Sequence, residues 1–177
     1  MNPVEQSLPQ PIPRGVRLAI DVGAVRVGVA ASDPDGILAT PVETVQRTEV
    51  DPEPALARVA AIVEEREPAR IYIGLPRTLK GKEGPAATAA REFATALARR
   101  VNVAIYLVDE RLTTVVAHQA LHSSGRKMKS HRSVIDQQAA VEILQHSLDV
   151  EKSTGRVPGI VVSAQREDDD ETEAQGR

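Results

Sequence analysis

Three acidic positions stand where a carboxylate is costly unless something positive meets it. Asp21 follows Leu18-Ala19-Ile20 directly, so an ionised group is placed at the end of a buried-type run and requires a cation or hydrogen-bond donors. The amide hydrogens of a turn at Gly23 would satisfy it as well as a metal ion. Asp109 and Glu110 close a second apolar run, VAIYLVDE, with Arg111 next. Alternation along a strand sends these two acids to opposite faces, so only one can join a shared site, and a surface pairing with Arg111 is the plainer reading. Asp136 shares helical spacing with Ala139, Ala140, Ile143 and Leu144, which puts it on the inward stripe of a helix. Ser133-x-x-Asp136 also reads as a capping box, which does not exclude a second role. Brought together, the three positions would form an oxygen-lined site for Mg²⁺ or Mn²⁺. Such a site positions a water and stabilises the leaving oxygen of a phosphodiester.

Other chemistries have less to stand on. His118 and His122 are one helical turn apart, but no third ligand at a diagnostic spacing accompanies them. The chain has no Cys and no Ser/His/Asp arrangement that would suggest covalent catalysis. Two loops carry clustered cations, Arg77, Lys80 and Lys82 in one, Arg126, Lys127, Lys129 and Arg132 in the other. Each is either a solvated loop or a set of phosphate contacts beside the acids.

The elements that must position these groups can be read from turns and periodicity. Arg17 to Gly23, Arg26 to Asp33 and Ile37 to Val45 are short apolar runs separated by Gly23-Ala24 and by Asp33-Pro34-Asp35-Gly36, which predicts an antiparallel three-stranded meander. Asp51 as N-cap and Pro52 open a helix carrying Leu56, Val59, Ala60 and Val63 on one face, and Pro68 stops it. Arg70 to Pro76 reads as a buried strand, a helix from Pro85 turns Ala86, Ala90, Phe93 and Leu97 inward, and Val103 to Glu110 is the fifth strand. A helix from Thr113 or Thr114 to about His122 and another from Ser133 to about Val150 complete the order βββαβαβαα. That order predicts an α/β fold with a mixed five-stranded sheet, meander first and parallel strands after, flanked by helices.

The 177 residues suffice for one domain with a substantial core. Residues 1–15 are Pro-rich and residues 151–177 run through Gly and Pro into an acidic end, so both read as disordered tails around a domain over 16–150. From Arg166 to Arg177 there are six acids and two bases; the remainder holds 20 Lys and Arg against 19 Asp and Glu. The folded part is thus near neutral, and binding of a polyanion rests on local patches. With Phe93, Tyr72 and Tyr106 the only aromatics, it cannot rest on stacked rings. No apolar run approaches the ~18 to 20 residues of a membrane span and no leader pattern opens the sequence, so the expected location is cytoplasmic.

Four segments in order, AIDVGAVRVGVAASD, IGLPRTLKGKEGP, VDERLTT and VIDQQAAVEILQ, resemble the YqgF/RuvX family over about Val16 to Val150. That family has an RNase H-like fold and is described both as Holliday junction resolvases and as nucleases processing the 5′ end of pre-16S rRNA. The resemblance implies that Asp21, Glu110 and Asp136 are the catalytic, metal-holding acids, Asp109 keeping a lesser claim within the same match. It implies tight packing at Gly23 and Gly28, and substrate contacts from Arg77, Arg111, Lys127 and Lys129. In resolvases outside the family an acid often stands on the fourth strand where this chain has Leu75-Pro76, so the site is assembled differently there. The partner expected is pre-rRNA or branched DNA, with the protein a monomer or a homodimer. D-x-G-x-x-x-x-G from Asp21 to Gly28 also resembles the phosphate loop of actin-like ATPases and sugar kinases, but those folds carry the unit twice. A non-catalytic nucleic-acid binder is the remaining alternative, against which three acids facing phosphates argue.

Overall fold

A computed structural model describes residues 12–78, 80–109 and 132–162, with side chains from residue 137 onward in the last stretch. The helix expected near Thr113 to His122, and the cations of the 125–131 loop, lie outside the described residues. Strands β1 (Arg17–Val22), β2 (Arg26–Ser32) and β3 (Ala39–Gln46) form the expected meander. Helix α1 (Glu53–Arg66) leads to β4 (Arg70–Leu75), and helix α2 (Pro85–Ala98) leads to β5 (Ile105–Asp109). Helix α3 (Arg132–Thr154) and a short β6 (Ile160–Val161) follow. The sheet runs β3-β2-β1-β4-β5-β6, with β4 and β5 parallel to β1 and β6 antiparallel to β5.

Two expectations are corrected here. The sheet has six strands, not five, and α3 continues past Val150, so ordered backbone extends into the segment read as a tail. The physical reason is Glu151, which is 5% exposed and accepts from two strands. Arg17 Nη2 lies 2.9 Å from its Oε2, Arg70 Nη1 3.4 Å from its Oε1, and the Tyr72 hydroxyl donates to Oε1. A charge so satisfied holds the helix end against the sheet, and the chain then returns along β5. In α2 the inward stripe is Ala87, Ala90, Phe93, Ala94 and Leu97, while Ala86 is exposed.

The sheet separates two cores. Leu18, Ile20 and Val22 of β1, Val27 and Val29 of β2, Ile71 and Ile73 of β4, and Ile105 and Leu107 of β5 meet α1 and α2 on one face. On the other face Ala19, Ala30, Ala39, Tyr72 and Val108 meet Ala140, Ile143, Leu144 and Leu148 of α3. Four alanines in that smaller core let α3 approach the sheet closely. No helix among the described residues is long and apolar enough to cross a membrane.

Replacing Glu151 with Ala leaves two buried guanidinium groups without their counter-charge, and urea unfolding should show a loss of about 3–5 kcal/mol. Ile160→Ser on β6, at an exposed position, should change stability by less than about 0.5 kcal/mol. Burial, and then the bond to Glu151, push the Tyr72 phenol well above its ordinary value. Because its folded value is raised, the associated stability is complete below the unfolded value of about 10 and is lost as pH rises beyond it. The urea midpoint should therefore fall above about pH 10, and Tyr72→Phe should flatten that fall.

Candidate active site

Asp21 lies on the face that α3 covers. Its neighbours Ile20 and Val22 enter the α1/α2 core, so alternation turns Asp21, like Ala19 and Arg17, the other way. Across β2 its partner is Gly28, and beyond Gly28 the partner in β3 is Thr44. On the other side, one residue past the Ile20–Ile73 pair, β4 continues with Gly74. Asp21 thus stands half-buried between two residues that have no side chain.

The hairpin beside it is tightly held. Gly23 N–H donates to Arg26 O at 2.8 Å, and a Cβ on Gly23 would sit 2.9 Å from that oxygen. Arg47, just after β3, donates through Nη1 to Gly23 O at 2.8 Å, tying the turn to the third strand. At the far end of β2, Asp33 accepts from the amides of Leu38 and Ile37 at 2.7 and 2.9 Å. Those amides, Leu38 first, hold the Asp33 carboxyl below its ordinary value.

The three expected acids do not all fall among the described side chains. By its backbone Asp136 is the fifth residue of α3, four residues before buried Ala140 and seven before Ile143. Its side chain, with Glu110, Arg111, Lys127, Lys129, His118 and His122, lies outside the described residues. Asp109 is described, and it is on the wrong face to join Asp21. Ile105 and Leu107 enter the α1/α2 core, so Asp109 shares their side, where Arg77 Nε lies 3.8 Å from its carboxylate. Arg77 also faces Glu83 at 3.6 Å. Both distances are long for hydrogen bonds, and the buried Nε has no hydrogen-bond partner. The guanidinium is held between two acids by charge rather than by a close fork.

Among the described residues no three His, Cys, Asp or Glu form a metal cluster. The donor that is placed fits a hard cation: a half-buried carboxylate from Asp21, on the face that α3 covers. Periodicity had no means of finding Thr44, whose buried hydroxyl has no hydrogen-bond partner among the described residues. Such an orphan costs about 1–3 kcal/mol. Glu151 was within reach of the sequence, since it continues the stripe through Ile143, Leu144, Ser147 and Leu148.

The profile of the family described as "RuvX: Holliday junction resolvase" matches residues 15–150. The chain belongs to the RuvX family. Membership places it among nucleases, hydrolases of phosphodiester bonds. It is 56% identical over 147 residues to a Streptomyces avermitilis protein, covering 82% of this chain and 93% of that one. It is 55% identical over 162 residues to a Nocardia farcinica protein, covering 89% and 90%. Each of these RuvX relatives is named "Putative pre-16S rRNA nuclease". Among solved structures it is similar to T. thermophilus RuvC in complex with a Holliday junction substrate, with a TM-score of 0.56 and 16% identity over 82% of this chain and 99% of that one. A second Thermus thermophilus RuvC structure aligns with a TM-score of 0.52 and 15% identity, over 82% of this chain and 99% of that one. The fold is therefore RNase H-like, as the motifs imply.

Because a Cβ at Gly23 meets backbone, Gly23→Ala should lower stability by about 1–3 kcal/mol in urea unfolding. Gly84→Ala, with nothing within 4 Å of the added atom, meets no clash and, as a change at the N-cap of α2 alone, should cost less than about 1 kcal/mol.

Proposed function

We propose that this RuvX protein cleaves phosphodiesters in structured nucleic acid at a divalent cation, Mg²⁺ or Mn²⁺, held by Asp21, Glu110 and Asp136, and that its substrate is the 5′ end of pre-16S rRNA. The single observation that carries the site is Asp21 on the α3 face between Gly28 and Gly74. Of the two adjacent acids Asp109 belongs to the α1/α2 side, beside Arg77, so Glu110 is taken as the second acid. The substrate follows the names of relatives that match more than four-fifths of the chain.

When bound, a divalent cation supplies positive charge to the phosphate oxygens and makes water a better nucleophile. The protein's part is placement. The Asp21 backbone is placed by its pairing with Gly28 of β2 and by the β1–β4 pairing that ends one residue before it, and the Asp136 position by a helix anchored at its far end. Arg111, Lys127 and Lys129 are assigned to contacts with the phosphate backbone, whereas Arg77, held between Asp109 and Glu83, lies toward the α1/α2 side and is left out of them. A chain processing rRNA works in the cytoplasm. The family's description favours a second reading, resolution of four-way DNA junctions, which needs two sites related by a two-fold axis and so a homodimer.

Cleavage of a pre-16S rRNA fragment and of a four-way DNA junction should be compared in Mn²⁺ for wild type and Asp21→Asn. The rRNA fragment should be cut, EDTA should abolish the cut, and the variant should be slower by at least about 100-fold. Cleavage of the junction alone would transfer the assignment to resolution. An unimpaired variant would overturn the site, and no cleavage of either substrate would favour a non-catalytic binder.

A further inference from the structure

Thr44 is the buried polar group for which the proposed chemistry has not yet found a use. Plain alternation from Ala39, which packs under α3, would send Thr44 to the opposite face. A bulge prevents this. Val29 pairs with Glu43 and Ala30 with Pro41, so Val42 is an extra residue that reverses the phase of the rest of β3. Glu43 and Val45 then turn to the α1 side, where Arg58 of α1 binds Glu43 at 2.7 Å and Val45 enters the core. Thr44 turns to the α3 face, in one row with Gly28 and Asp21. Its hydroxyl oxygen is buried and has no hydrogen-bond partner among the described residues.

The same row is level with the N-terminal part of α3. Gln145 Oε1 accepts from Ala39 N–H at 3.0 Å, and Nε2 donates to Ile37 O at 3.1 Å, fixing that helix position at the start of β3. From Ala39 to Thr44 the strand advances roughly 13 to 16 Å. At about 1.5 Å per residue, that distance leads back along α3 from Gln145 to the neighbourhood of Asp136. Two strand spacings of about 4.8 Å separate the Cα atoms of Asp21 and Thr44, with only Gly28 between them. Once both side chains extend, the remaining gap suits a water making two hydrogen bonds of about 2.8 Å.

We propose that Thr44 is a positioning residue of the Asp21 site, its hydroxyl holding an ordered water across Gly28 from the Asp21 carboxylate, level with Asp136. Oriented by Thr44, the water donates to a carboxylate oxygen and fixes which lone pairs remain for the cation. The bulge at Val42 is the device that brings the hydroxyl to this face. Thr44 does not touch the reacting phosphate; it acts through Asp21. The inference rests on the reading of Asp21 as a metal-holding acid.

The test uses the full chain, with Mn²⁺ affinity measured by EPR without nucleic acid, alongside kcat and KM on the pre-16S fragment. Thr44→Val keeps the shape and removes the hydroxyl. It should weaken Mn²⁺ binding and lower kcat, each about tenfold, with KM within about twofold of wild type. Thr44→Ser restores the hydroxyl and should recover both, and Gly28→Ala, which fills the gap, should behave like Thr44→Val. Thermal unfolding of each variant confirms that it is folded. Wild-type Mn²⁺ affinity and kcat in Thr44→Val would overturn the proposal, as would Thr44→Ser failing equally with Thr44→Val, which would make the role one of packing. Asp21→Asn in the same titration separates the two levels. If it abolishes Mn²⁺ binding while Thr44→Val does not alter it, Asp21 stands and Thr44 falls; if it leaves binding intact, the metal reading of Asp21 itself fails.

Discussion

Glu151 receives the Arg17 guanidinium from the start of β1, the Arg70 guanidinium from the start of β4 and the Tyr72 hydroxyl from the middle of β4. Removing these charges from water offsets most of their mutual attraction, so the network adds little net stability. What it fixes is position. A carboxylate with three directional partners has one place to sit, and α3, of which it is part, is thereby set in both rotation and translation against the sheet. Gln145, two turns earlier, adds a second fixed point at the start of β3. The N-terminal part of the helix, with Asp136, then has little freedom over the strand ends where Asp21 stands.

The composition of the two faces reinforces this division of labour. The α1/α2 face carries the larger aliphatic core and supplies most of the area removed from water. The α3 face is built from alanines, with Tyr72 and Val108, and its small side chains admit the helix closely. Where the alanines end, Asp21 begins, flanked by glycines. One face thus holds the fold together, while the other carries a helix near enough to the sheet for groups from both to share a ligand. Asp109, on the first face, is occupied by Arg77 and takes no part in that meeting.

Much of this was legible in the sequence because turns and stripes leave strong local marks. The Gly23-Ala24 and Asp33 to Gly36 turns announced the meander, and the spacing from Asp136 to Leu144 gave the inward face of α3. Where local contrast was weak, the reading slipped. The run Pro85-Ala86-Ala87-Thr88-Ala89-Ala90 has too few polar residues to set the helix phase, and the buried position proved to be Ala87. A two-residue strand such as β6 has no periodicity to detect. Glu151 looked like the first residue of a charged tail because its partners are far away in sequence, Arg17 being 134 residues distant. Thr44 was hidden for a different reason: a bulge reverses strand phase, and alternation counted along the sequence has no mark for it. The acids could be identified by type and spacing, but their convergence depends on tertiary placement, and for Asp21 that placement came from strand register.

The most direct measurement is the location of Mn²⁺ by anomalous diffraction from crystals of the full chain grown with the ion. The peak should lie about 2 Å from an Asp21 carboxylate oxygen, on the face covered by α3, with Asp136 and Glu110 oxygens completing the shell. A peak on the opposite face, between Asp109 and Glu83, or no ion at Asp21 in millimolar Mn²⁺, would contradict it.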